Sequence, residues 1–161
     1  MNSLDYGGID KNLIQDFFCG FARFEYALKR AGYLKENEKR VMLDWDSFAK
    51  DISGKLDKDP DPKLKKAIEY LTVHPPKKQV VKEKKLGWQD ISKIDSKGIE
   101  AWILRVIRTI RNNLFHGGKF TGKPVEEVAR NDKLLNASVI VLRKIVRLNQ
   151  FVFKFYDEPL S

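Results

Sequence analysis

Apolar residues in this chain return at steps of three and four, and that spacing restricts the fold more than any other feature. Leu13, Phe17, Phe21, Phe24 and Leu28 draw one stripe, because 3.6 residues per turn bring such positions onto a single helix face. Ile99, Trp102, Ile103, Val106, Ile107, Ile110 and Leu114 draw a broader stripe. Leu135, Val139, Leu142, Val146, Asn149 and Phe153 draw another, with some drift. The spacing predicts helices over about 10–30, 97–116 and 132–156. Asp10 is placed to cap the first and Gly32 to stop it. A weaker segment begins near Asp46, with Trp45, Phe48, Ile52 and Leu56 as its buried positions. Asp57 to Pro62 reads as a loop, and Pro62 can open a further helix at its first turn. Leu64, Ile68 and Leu71 mark the face of that helix, and Pro75-Pro76 ends it. Residues 125–128 form a short helical turn in this reading.

Such stripes must be buried against one another. The expected fold is therefore all-α: an antiparallel helical bundle of four to five helices in one domain, 1–161, with a basic irregular insertion. The insertion covers 77–97. Lys77, Lys78, Lys82, Lys84 and Lys85 alternate there with Val80, Val81 and Leu86. A short strand pair, an irregular basic loop and a mixture of both all fit that pattern. As surface it is a solvated charge run; as function it is an arm that follows phosphates.

Charge points to the class of partner. Lys and Arg number 31 against 22 Asp and Glu, a formal balance of +9. That balance favours polyanions, nucleic acid first and an anionic membrane second, or else it is a solubility charge spread over the surface. A hydrophobic fraction of 42% is enough for a packed core and excludes global disorder. A single Cys excludes an internal disulfide and any multi-Cys zinc site. Cys19, between aromatic neighbours, is expected to be a buried thiol. With two His in the chain and no cluster at ligand spacing, no metal and no cofactor are expected. His74 lies in Val-His-Pro-Pro, where a surface or capping role suits it. The N-terminal stretch lacks the basic-then-apolar order of a secretory leader. No run nears the ~18 apolar residues of a membrane span. The expectation is a cytoplasmic protein without a membrane partner.

The residues richest in chemistry lie together at the end of the 97–116 helix. Arg111-Asn112-Asn113-Leu114-Phe115-His116 is followed at once by Gly117-Gly118. Arg carries a permanent planar fork that suits phosphate oxygens. His takes and gives protons near neutral pH. Together they can hold a phosphate and move a proton beside it, which is what phosphodiester chemistry on RNA requires. An Arg and a His in the last turns of a helix also favour its terminal carbonyls and dipole, so capping stays open on the residues alone. On an ideal helix Arg111 and His116 stand about 140° apart, whereas Asn112 and His116 differ by only about 40°. Arg111 and His116 converge if the last turn unwinds, if the Arg side chain curls round, or if two chains pair. RNA transesterification needs one base and one acid. One motif His per chain supplies one of these, and two chains supply both. Arg105, Arg108 and Arg111 continue a basic line along the same helix. Glu25, beside the first stripe, reads as a solvated carboxylate or a Lys29 partner.

The Arg111-Asn112 pair followed by His116 resembles the Arg-x4-His motif of the HEPN superfamily. The longer run from Arg111 to Lys119 is similar to the plasmid- and defence-associated bacterial branches of that superfamily. So are Phe-Ala-Arg-Phe-Glu-Tyr-Ala-Leu-Lys-Arg-Ala-Gly-Tyr at 21–33 and Pro-Pro-Lys-Lys-Gln at 75–79, so the resemblance spans most of the chain. It implies a helical bundle that forms a homodimer through the motif helices. It also implies a metal-independent endoribonuclease that leaves 2′,3′-cyclic phosphate and 5′-hydroxyl ends, in a toxin or antiphage setting with an antitoxin or defence partner. His116 would transfer the proton, Arg111 would stabilise charge on phosphorus, and Asn112 would orient the phosphate or the His. Glu25 matches an acidic position that supports the motif Arg. Arg105, Arg108, Lys119 and the insertion lysines would contact RNA. Gly118 stands where some of the family's toxins carry a Tyr that a partner nucleotidyltransferase modifies, so that route of neutralisation is not implied. A non-catalytic module that binds RNA or a partner protein is the alternative.

Overall fold

Side-chain caps set the helix ends. The computed structural model describes residues 8–36, 39–92, 97–115 and 125–159. Helix α1 spans Lys11–Arg30, and the Asp10 carboxylate accepts the Asn12 N–H at 2.8 Å. It ends in a Schellman turn: Tyr33 N–H reaches the Leu28 carbonyl at 3.0 Å and Gly32 N–H the Lys29 carbonyl at 3.2 Å. Gly32 sits at φ +87°, which glycine adopts without a Cβ clash. Helix α2, Trp45–Asp51, is capped by Asp44, and α3, Pro62–Val73, by Asp61 with Pro62 in its first turn. After the two strands come α4, Gly98–Phe115, α5, Val125–Ile145, a 3-10 turn at Val146–Leu148, and α6, Gln150–Asp157.

The helical stripes form one buried cluster. Phe17, Phe21, Phe24 and Leu28 from α1 meet Phe48 from α2, Leu64 and Leu71 from α3, Ile103 and Ile107 from α4, and Leu142 and Ile145 from α5. Helix α5 packs against α1 and α3, α6 packs along α1, and α2 lies on α4. Polar ties fix the joints. Buried Glu100, in the first turn of α4, accepts the Leu56 N–H at 3.2 Å just after α2. Tyr33 donates to Asp51 at 2.7 Å and accepts from Asn149 at 2.8 Å, linking the end of α1 to α2 and to the start of α6.

Four expectations are corrected. The chain is mainly helical with six α-helices among its described residues, but it is not purely all-α. Part of the 77–97 insertion is an antiparallel hairpin, β1 Lys78–Lys82 with β2 Lys85–Gln89. Its alternation has the two-residue period of strands: Gln79, Val81, Leu86 and Trp88 share one face, and Lys78, Val80, Lys82, Lys85, Gly87 and Gln89 the other. The two-residue turn has Glu83 and Lys84 at φ 49° and 62°, as a type I′ hairpin turn needs.

The 132–156 helix is two helices. The backbone breaks where Asn149 becomes extended, and its amide oxygen caps α6 by accepting the Phe151 and Val152 N–H groups at 3.0 and 3.1 Å. Residues 125–128 belong to the start of α5, not to a separate turn. Cys19 is exposed. It lies about 200° round α1 from buried Phe17, so the apolar company in sequence is not company in space. His74 does cap: its backbone N–H bonds the Tyr70 carbonyl at 2.9 Å, and its ring lies 4.7 Å from that of Tyr70.

Candidate functional site

The Arg-rich side of α4 is built by the burial of its other side. Ile103, Val106, Ile107, Ile110 and Leu114 point into the core. Arg105, Arg108 and Arg111 are left half-buried at the edge, toward α1 and α2. At the C-terminal end, Arg111 Nη2 lies 3.8 Å from Glu25 Oε2 on α1, with the two side chains 34% and 26% exposed. The same guanidinium donates from Nη1 to the Asn112 amide oxygen at 3.0 Å. It sits between two rings, 5.6 Å from the centre of Phe21 and 5.7 Å from that of Phe115. Glu25 therefore meets Arg111 across the helix interface. Partial burial makes that ion pair an orienting contact, stronger than a fully solvated one. A guanidinium has five N–H donors, so held in this way it retains donors for a phosphate.

The rest of the arginine line meets α2. Arg108 lies 4.8 Å over the ring of Trp45. Burial is the main reason that its guanidinium titrates below its ordinary value; Asp46 and Glu25 oppose the shift, and Arg105 and Arg111 add to it. It remains a cation, since even a displaced guanidinium titrates far above neutral pH. Arg105 donates to the Ser92 carbonyl at 2.9 Å. Trp45 itself is half-buried, stacked on Phe21 and edge-on to Phe24. It forms a wall of the site as well as part of the core.

His116, Gly117, Gly118 and Lys119 lie outside the described residues, which end α4 at Phe115. Among the described residues, Glu25, Arg105, Arg108, Arg111 and Asn112 come together on one side of α4. The hairpin lysines belong to another flank. Asn113 Nδ2 donates to the Lys77 carbonyl at 2.8 Å and so fixes the hairpin root to α4. Asn113 is about 200° round the helix from Arg111. Lys77 lies 3.7 Å from Asp90, while Lys82 and Lys85 face each other across the strands and, like Lys84 in the turn, are exposed.

The two neighbouring asparagines thus have different jobs, which composition alone does not separate. Asn112 is exposed and touches Arg111; Asn113 is 3% exposed and structural. Asn113→Ala is expected to destabilise the protein by about 1–3 kcal/mol, because it strands a partly buried carbonyl. Asn112→Ala is expected to stay within about 0.5 kcal/mol of wild type. Urea unfolding of both variants checks this, and the reverse order of losses would reject the division.

Among the described residues no group of His, Cys, Asp and Glu could hold a metal ion, and no helix is long and apolar enough to cross a membrane. Comparisons of the chain with family models, with curated proteins and with solved structures return no match.

Proposed function

We propose that this protein is a metal-independent endoribonuclease of the HEPN type, acting as a homodimer in a toxin or antiphage setting. The observation that carries the reading is the placement of Arg111. It stands at the end of α4, between the Glu25 carboxylate and the Asn112 amide, five residues before His116 in the sequence. In the proposed reaction the 2′-hydroxyl oxygen bonds to phosphorus and the bond from phosphorus to the 5′-oxygen breaks. One His116 takes the proton from the 2′-hydroxyl, and the partner chain's copy of that His gives a proton to the departing 5′-oxygen. Arg111 neutralises charge that builds on the phosphorane oxygens, with Glu25 holding its fork in place. Phe18 and Phe115 support pairing of two chains near this point. They stack edge to face at 5.2 Å beside Arg111, yet remain 50% and 42% exposed. Exposed aromatic area of this kind is what an interface covers.

The test is cleavage of end-labelled single-stranded RNA in excess EDTA. The wild type is expected to leave cyclic phosphate ends, and Arg111→Ala is expected to lose about 10²–10³-fold in rate, as removal of one preorganised charge stabiliser does elsewhere. Cleavage that needs a divalent ion, or that survives Arg111→Ala, would overturn the assignment. The alternative is an RNA-binding module without chemistry, favoured by the Lys82–Lys85 pairing at the hairpin tip. Like charges placed opposite each other disfavour the hairpin unless an anion offsets them. That alternative predicts salt-sensitive binding without cleavage.

A further inference from the structure

From the geometry between the start of α2 and the N-terminal half of α4, we infer a phosphate subsite distinct from the Arg111 position, which takes a backbone phosphate of RNA flanking the one that is cleaved. The inference shares its ligand, RNA, with the proposed function, but it does not need the chain to cut. The cleft is small, with a volume of about 60 Å³, and is lined by Trp45, Asp46, Lys97, Trp102, Arg105 and Arg108. Three of these are cations and one is an anion. Lys97 is matched, since its ammonium lies 3.1 Å from the Asp46 carboxylate. Arg105 bonds a neutral carbonyl and Arg108 lies over an aromatic ring. Neither contact cancels a charge. Among the described residues the lining holds three cations against the one Asp46 carboxylate, which acts on Arg108 as well as on Lys97, so a net positive charge remains there that an oxyanion relieves.

A second observation is independent of charge. Trp102 is 5% exposed, and its indole Nε1 is buried with no hydrogen-bond acceptor among the described residues. A buried donor without an acceptor is rare and unfavourable. Trp102 also lines the cleft, and a ligand oxygen that reaches its indole edge can accept that proton. Two forked cations, one neutral N–H and the Trp45 ring wall suit a phosphate group.

Continuity with the Arg111 site favours a polymer over a free ion. Arg108 is within the electrostatic reach of Glu25 and Arg111 as well as of Asp46 and Arg105. Three residues of helix rise about 4.5 Å, so Arg105, Arg108 and Arg111 step along α4 by a distance of the same order as the ~3.4 Å between successive charges along one strand of a duplex. A strand laid along this edge places one phosphate at Arg111 and a neighbour in the cleft.

The experiment uses the full chain carrying His116→Ala, so that RNA is bound and not cut. Binding of a fluorescent oligoribonucleotide is followed by anisotropy across a salt series, with Arg108→Gln or Trp102→Phe added. Arg108→Gln is expected to weaken binding about tenfold and to lower the salt slope by about one. Trp102→Phe keeps an aromatic ring in the core and removes the N–H; it is expected to weaken binding several-fold with an unchanged salt slope. Arg108→Lys keeps the charge and is expected to restore the slope but not the full affinity. Thermal melts of each variant exclude unfolding as the cause. Affinities within twofold of the parent for both Arg108→Gln and Trp102→Phe would overturn the subsite. So would a parent that does not bind RNA. Inorganic phosphate, titrated against tryptophan fluorescence, separates the sources: saturation at concentrations as low as those of the oligoribonucleotide would assign a free-phosphate site instead. A wild type that binds RNA but never cleaves it would remove the nuclease reading and leave the subsite standing.

Discussion

Replacing His116 by Ala is expected to slow RNA cleavage by about 10²–10⁴-fold while the protein stays folded. The rate loss is the ordinary worth of a positioned proton-transfer group. The chain has two His in all, and the other, His74, is the cap of α3, with its ring tilted against that of Tyr70. With its ring held against that of Tyr70, His74 is not expected to take over within one chain. In a homodimer the substitution removes the base and the acid together, which places the loss toward the upper end of that range. The stability change is bounded separately. A His near a helix C-terminus contributes at most about 2 kcal/mol through the dipole, which in a chain of this size is a drop of under about 8 °C in Tm. Initial rates in EDTA and a thermal melt of the same preparation give both quantities. Undiminished cleavage ends the catalytic assignment; loss of cleavage together with loss of the melting transition would make His116 a structural residue instead.

The parts of the fold that sequence exposes are those whose burial writes a period into the chain. Phe17, Phe21, Phe24 and Leu28 are buried because α1 is a helix with one covered face, and the same relation runs backwards from spacing to helix. Asn149 shows where this fails. The apolar period runs on from Val146 to Phe153 with only a small drift in phase, and that drift is the trace of a broken helix. The hairpin stayed one of several readings of 77–97 for a different reason. Its strands are five residues long, and its turn holds Glu83 and Lys84 where Asn-Gly would have announced it. Within the site, the line of Arg105, Arg108 and Arg111 is readable because it is local to one helix. Its contacts with Glu25, Trp45 and Asp46 are tertiary, and no period records them. The separation of Asn112 from Asn113 follows from 100° of rotation, once the buried face of α4 is known.

Phe24→Ala is expected to cost about 3–5 kcal/mol, the usual range for emptying an aromatic core position. Phe24 is 0% exposed and lies at the junction of α1 and α2, 5.5 Å from the Phe48 ring and 5.8 Å from that of Trp45, both edge to face. Total stabilities of such domains run from about 5 to 15 kcal/mol, so the variant is expected to lose about a fifth of the total or more. Its Tm should fall by about 6–20 °C. Phe18→Ala is the control on the same helix: at 50% exposure and with one ring partner among the described residues, it is expected to cost far less in the monomer. The comparison also reaches the site. Glu25 follows Phe24 directly, and Trp45 is both a neighbour of Phe24 and the ring beneath Arg108. The cavity left by Phe24 therefore loosens the two supports that hold Arg111 and Arg108 at once. Urea unfolding measures the stability loss, and RNA binding well below the Tm measures its reach. Equal losses for Phe18→Ala and Phe24→Ala would show that the α1–α2 junction is not the part of the core on which this edge of α4 depends.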